Sequence, residues 1–230
     1  MEHELDLNSL KRAAAESAAT LVEDGMVVGL GTGSTAAFAV EAIGKRVQAG
    51  LRILGIPTSR RTAEQARILG IPLAALTENR RVDLTIDGAD EVEMGSLDLI
   101  KGRGGALLRE KILASVSERL VIVVDESKIV GRLGRIALPV EVVPFGWEAT
   151  KRKLRDLGTT PALRRGPGGE PFISDGGHYI LDCILNAGLS AASLKEALDS
   201  VVGLVEHGLF LGMASQVFVG ATQGLRVLSR

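Results

Sequence analysis

Lys101-Gly102-Arg103-Gly104-Gly105 runs from the end of an apolar segment into a helical pattern that carries one acid, Glu110. A glycine-rich turn opening a helix leaves backbone N–H groups unpaired at the positive end of the helix dipole, a seat for an anion. Lys101 adds a cation to that seat. Glu110 falls about one turn into the helix, beside the apolar face of Leu107, Leu108, Ile112 and Leu113. A carboxyl desolvated at the rim of such a face has its pKa raised toward working pH, as a general base requires. By residue type alone, Arg109, Glu110 and Lys111 read as the solvated charges of an ordinary helix.

Two stretches upstream have the same design, a polar cluster directly after an apolar run. Gly29-Leu30-Gly31-Thr32-Gly33-Ser34-Thr35 lacks the third glycine of the dinucleotide fingerprint, which would fall at Ser34, and lacks the Gly-Lys-Ser/Thr ending of a P-loop. Its hydroxyls at Thr32, Ser34 and Thr35, with the Gly33 amide, suit a small phosphate or sugar hydroxyls. They equally suit a tight turn with a capped helix behind it. Asp87-Gly88-Ala89-Asp90-Glu91 has three readings: a helix cap with solvated neighbours, a turn for Mg²⁺ or Ca²⁺, or acceptors for sugar hydroxyls. Lys128, behind the apolar run 120–124, is either a phosphate ligand or a solvated loop cation.

Other chemistries find little support. His3, His178 and His207 share no helical face, which argues against a zinc site or a histidine-based triad. Cys183 is the one cysteine and sits inside the apolar run 179–185, where a buried hydrophobe is expected. Aromatic residues make up 3% of the chain and net charge is −1, which disfavours nucleic acid and anionic membranes as partners. Residues 1–10 lack the apolar core of a signal peptide, and no run is long enough to span a bilayer. A cytoplasmic protein is expected.

The elements that must position these residues alternate. Helices are expected over residues 9–22 (with Asn8 as N-cap), 35–47, 62–69 and 106–115. Strands are expected over 26–30, 51–56, 72–76, 82–86, 97–100 and 120–124. That rhythm implies right-handed βαβ units in a doubly wound parallel sheet. Beyond residue 131 the order becomes strand 136–143, helix 147–157, a hairpin signal around Gly166-Pro167-Gly168-Gly169, strand 179–185, helix 193–202 and strand 203–209, a split βαβ plan. The expected domains are 1–128 plus 206–230, and 129–205.

Together the motifs resemble ribose-5-phosphate isomerase of the A type. The match rests on residues 29–36, Gly55-Ile56-Pro57-Thr58-Ser59, residues 87–91, residues 101–105 with Arg109-Glu110-Lys111, residues 139–144, and His207-Gly208-Leu209-Phe210, in that order along the chain. The resemblance implies interconversion of ribose 5-phosphate and ribulose 5-phosphate in the non-oxidative pentose phosphate pathway, without metal or organic cofactor. It implies a Rossmann-like α/β domain with a smaller ferredoxin-like α+β domain, in homodimers or homotetramers. By the same resemblance Glu110 falls on the proton acceptor, and Thr32–Thr35, Asp87–Asp90, Lys101–Gly104 and Lys128 fall on substrate-binding positions. Independently, the chemistry of such an isomerisation makes Lys101 and the Gly102–Gly105 amides the candidates to steady the oxyanion, and Asp87 a candidate to assist ring opening. Arg103 interrupts what is commonly an all-glycine run, and Ser174-Asp175-Gly176-Gly177-His178 departs from the usual Asn-containing turn. The competing reading is a sugar-phosphate-sensing domain of a regulator, which needs no base.

Overall fold

The computed structural model describes residues 7–77, 81–186 and 190–230; His3 lies outside the described residues. The chain runs α1 (Leu7–Ala19), β1 (Val27–Leu30), α2 (Ser34–Gln48), β2 (Leu54–Pro57), α3 (Arg60–Ile68) and β3 (Leu84–Gly88). Two short strands follow, β4 (Glu91–Glu93) and β5 (Leu99–Ile100), then α4 (Leu107–Ser115) and β6 (Leu120–Asp125). A 3-10 turn (Glu126–Lys128) leads into β7 (Ile129–Val130). Next come β8 (Leu138–Val142), α5 (Trp147–Asp156), β9 (Thr159–Leu163), β10 (Tyr179–Leu185), α6 (Ala191–Asp199) and β11 (Leu204–His207). The chain closes with β12 (Leu209–Phe210) and the hairpin β13 (Gln216–Ala221) and β14 (Gly224–Ser229).

The main sheet has the order β14-β13-β6-β3-β1-β2, parallel except for β14. Between β1 and β3 the winding reverses direction, which opens a crevice at the strand carboxyl ends where such folds bind ligands. β6 is buried at all six positions. Val121 and Val123 face one core with Ala14, Ala18, Val40 and Ile43 from α1 and α2. Ile122 and Val124 face the opposite core with Leu99, Phe210 and Val219. This alternation explains why so apolar a strand needs cover on both sides. The α/β expectation is borne out.

A second sheet, β11-β8-β10-β9, is wholly antiparallel, with α5 and α6 connecting its strands. That is the split βαβ order expected for the smaller domain. Cys183 is fully buried in its core, and burial pushes its thiol up to about 12. A third sheet, β12-β5-β4-β7, is built from strands of two or three residues. β7 pairs with β4, so Ile129 and Val130 stay with the elements around the crevice.

Some expectations differ from the structure. Asn8 lies within the first turn of α1 rather than capping it. The strand expected over 72–76 reduces to one bridge between Leu73 and Gly55. β3 continues past its apolar run to include Asp87 and Gly88, which pair with Ile122 and Val123 of β6.

Candidate active site

A cavity of about 270 Å³ opens at the crevice, lined among others by Thr32, Ser34, Asp90, Lys101, Glu110 and Lys128. Lys101 is 2% exposed, and its Nζ lies 2.9 Å from Asp87 Oδ2 and 3.3 Å from Glu110 Oε2. It also donates to the Gly88 carbonyl at 2.6 Å. Its own N–H donates to the Gly208 carbonyl, 2.9 Å away, fixing the residue at the end of β5. Phe210 lies beneath, its ring centroid 5.5 Å from Lys101 Nζ and 4.9 Å from Lys111 Nζ. Lys111 in turn donates to Glu206 Oε1 and the His207 carbonyl, tying α4 to β11.

Glu110 is 2% exposed, and its Oε2 is buried without a hydrogen-bond partner among the described residues. An unsatisfied buried acceptor costs about 1–3 kcal/mol and asks for a functional reason. Burial pushes the Glu110 carboxyl up to about 8, against the pull of the Lys101 cation. Charge counting gives the same direction. Lys101 is one cation shared by two carboxylates, so the buried trio is neutral only while one of them holds a proton. The helix is therefore not an ordinary charged surface: Arg109 is exposed, whereas Glu110 faces inward.

The three acids of residues 87–91 have separate placements. Asp87 Oδ1 accepts from the Thr32 N–H at 3.0 Å and the Gly88 N–H at 2.7 Å, while Oδ2 faces Lys101. Its carboxylate anchors Lys101, and Asp87 is not among the residues that line the cavity. Asp90 lines the cavity and accepts from the Arg103 N–H at 2.9 Å. Glu91 turns the other way, accepting from the N–H groups of Gly134 and Ile136. No acid of the three caps a helix, and among the described residues no group of three or more His, Cys, Asp or Glu is arranged to hold a metal.

The first loop reaches the site because Gly31 lies directly on Asp87: a Cβ there would come within 2.2 Å of Asp87 Oδ1. Thr32 Oγ1 is spent internally, bonded to the hydroxyls of Thr58, Ser59 and Thr62. Thr32 nonetheless lines the cavity. α2 begins at Ser34 after Gly33, with no side-chain cap and no acid in its first turn. Ser34, Thr35 and the start of α2 thus lie at the cavity, an arrangement that suits an anion. Lys128 lines the same cavity, and so does Lys11 from α1, which sequence reasoning missed. Neither lysine has a carboxylate partner among the described residues. Only a count of unpaired cations on helices next to the Gly29–Thr35 loop would have flagged Lys11, and α1 lies too far upstream for spacing to reveal that. Gly88, Ala89, Gly102, Arg103 and Gly104 complete the lining, with Arg103 itself exposed.

Comparison with known proteins shows the family. Residues 54–224 match the family model "Ribose 5-phosphate isomerase A (phosphoriboisomerase A)". The chain is 59% identical over 226 residues to ribose-5-phosphate isomerase A of Gloeobacter violaceus, covering 98% of each. It is 55% identical to the Synechococcus enzyme of the same name over 96% of this chain and 97% of that one. Among solved structures, ribose 5-phosphate isomerase A of Methanocaldococcus jannaschii superposes with a TM-score of 0.93 at 38% identity, covering 98% of this chain and 100% of its own. A D-ribose-5-phosphate isomerase in complex with phospho-erythronic acid gives 0.94 at 35% identity, with the same coverage.

Proposed function

The chain belongs to the ribose 5-phosphate isomerase A family, and on that premise we propose how it interconverts D-ribose 5-phosphate and D-ribulose 5-phosphate. The enzyme is an isomerase, an intramolecular oxidoreductase. In the open-chain aldose, Glu110 takes the proton from C2. The resulting enediolate carries its charge on oxygen, where the Lys101 ammonium opposes it. The O2 hydroxyl proton passes to O1, C2 becomes the carbonyl carbon, and Glu110 returns its proton to C1, giving the ketose. One observation carries this assignment above the others: Glu110 is buried at the cavity, and its only polar neighbour at Oε2 among the described residues is the Lys101 ammonium, 3.3 Å away.

The phosphate belongs at the N-terminus of α2, flanked by Lys11 and Lys128, and Asp90 accepts from the sugar hydroxyls. Binding the remote phosphate supplies energy for orienting C1 and C2 against Glu110. Neither step requires a cofactor. The sensing-domain alternative is not favoured, because a sensor has no use for a desolvated base at the cavity.

A positioned base contributes about 10²–10⁴-fold. Glu110→Gln is expected to lose most of that turnover while keeping its fold by circular dichroism. In D₂O the wild type is expected to place deuterium at C1 of the ketose, and the variant is not. Wild-type kcat in the variant would reject the assignment of the base.

We further place the enzyme in the cytoplasm as a homodimer or homotetramer. Among the described residues no helix is long and apolar enough to cross a membrane. Phe145 and Val202, 94% and 82% exposed, lie next to the hydrogen bond from the Val143 N–H to the Gly203 carbonyl. Two large apolar side chains bared at one end of the small sheet favour a partner there.

A further inference from the structure

The smaller sheet reaches the catalytic loop through one side chain. Arg164, just past β9, donates from Nη1 to the carbonyls of Gly102 and Arg103 at 3.1 and 3.0 Å. Its other edge forms a two-pronged pair with Asp182 of β10, Nε donating to Oδ2 at 2.9 Å and Nη2 to Oδ1. The guanidinium also stacks 5.8 Å from the centroid of Phe172. Phe172 closes on Gly105 so tightly that a Cβ there would come within 2.5 Å of the ring. The pair is largely buried, with 14% of the Arg164 side chain exposed.

The consequence follows from peptide geometry. In a trans peptide the C=O and the next N–H point in opposite directions, and no cis bond occurs among the described residues. Fixing the Arg103 carbonyl on the Arg164 side turns the Gly104 N–H the other way. That N–H has no acceptor among the described residues, and Gly104 lines the catalytic cavity. The preceding peptide is fixed from both ends, because the Arg103 N–H is held by Asp90. We infer that Arg164, anchored by Asp182, is a positioning residue that aims the Gly104 amide at the oxyanion of the enediolate. The smaller domain thus takes part in the reaction without touching substrate. This inference rests on the isomerase mechanism proposed above.

A separate cavity of about 460 Å³, lined by Arg103, Ile136, Ala137, Pro139, Arg164 and Asp182, opens behind the loop. A small cation can reach the guanidinium position from there, which permits a test by chemical rescue. Arg164→Ala is expected to lower kcat by about 10–100-fold, the cost of a misplaced catalytic group, with KM for ribose 5-phosphate within about threefold. Phospho-erythronic acid carries two carboxylate oxygens like the planar enediolate, so its inhibition constant should weaken in parallel with kcat. Added methylguanidinium should restore part of kcat, and Arg164→Lys should retain more activity than Arg164→Ala. Asp182→Asn, which leaves the guanidinium in place but unanchored, should show a smaller loss of the same kind. This variant also serves if Arg164→Ala does not fold. An unchanged kcat in the folded variants overturns the inference. So does a loss confined to KM or to melting temperature with phospho-erythronic acid binding intact. If Glu110→Gln is inactive while Arg164→Ala has full activity, the inference fails and the isomerase mechanism stands. If Glu110→Gln is active, the mechanism itself fails.

Discussion

At the residue scale, Glu110 makes activity and stability depend on pH in opposite senses. A base works only when ionised, and burial raises this carboxyl to about 8. The acid limb of kcat/KM is therefore expected to rise through about pH 8, well above an ordinary glutamate, when turnover is followed in overlapping buffers. Stability runs the other way. The folded state holds the proton more tightly than the unfolded chain, whose carboxyl titrates near 4.5. Its contribution is fully present below about pH 4.5 and is lost as pH rises through about 8. Glu110→Gln stays neutral throughout, so its advantage over wild type in urea unfolding should widen across that window and level off above it. Sequence made Glu110 legible as an acid at the rim of an apolar face. It could not show the burial of Oε2 or the sharing of Lys101, because Asp87, Lys101 and Glu110 converge only once β3, β5 and α4 are packed together. Lys11 was invisible for the same reason.

At the element scale, the long buried strands and amphipathic helices could be read from their periodicity, whereas the shortest elements could not. β5 and β12 have two residues each, too few to display a period, and they pair only with each other and with β4 across the chain. β3 extends through Asp87 and Gly88 because β6 supplies the ladder there, a tertiary fact that overrides local polarity. α3 was expected two residues late, since Ser59 caps it and Arg60 already lies inside. The Ser59 hydroxyl accepts from the Thr62 N–H at 3.0 Å and joins the hydroxyl cluster under Thr32. Ser59→Ala is therefore expected to cost about 1–2 kcal/mol in denaturant unfolding. Because the cluster lies beneath the loop, kcat at saturating substrate should stay within about twofold, as for substitutions away from the reacting atoms.

At the scale of the whole molecule, the two larger sheets meet around the 101–105 loop. The small sheet contributes Arg164 and Phe172 from behind, while Asp175 accepts from the Arg60 N–H at 2.7 Å. The βαββαβ rhythm predicted that the second sheet exists. It said nothing of where that sheet docks, since docking is decided by side chains such as Arg164 and Asp175 whose partners lie over sixty residues away. The bared Phe145 and Val202 set the expectation for assembly. Phe145→Asp should shift the mass measured by light scattering toward that of a monomer, since a buried unpaired carboxylate opposes association. An unchanged mass would remove this end of the small sheet as the contact.

The return of β13 to the main sheet bears on how the protein is born. β6 lies between β3 and β13, so on a ribosome it is made long before its second neighbour, residues 216–221, emerges. Until then the most apolar strand of the molecule has one open edge, a template for association with other nascent chains. The small sheet, whose strands all fall between Leu138 and His207, can complete its own pairing meanwhile. Arg164 then stands ready before the loop it holds has a finished floor. Catalysis should accordingly switch on late, after the last strands have left the exit tunnel, and chains stalled before residue 216 should depend on chaperones to stay soluble.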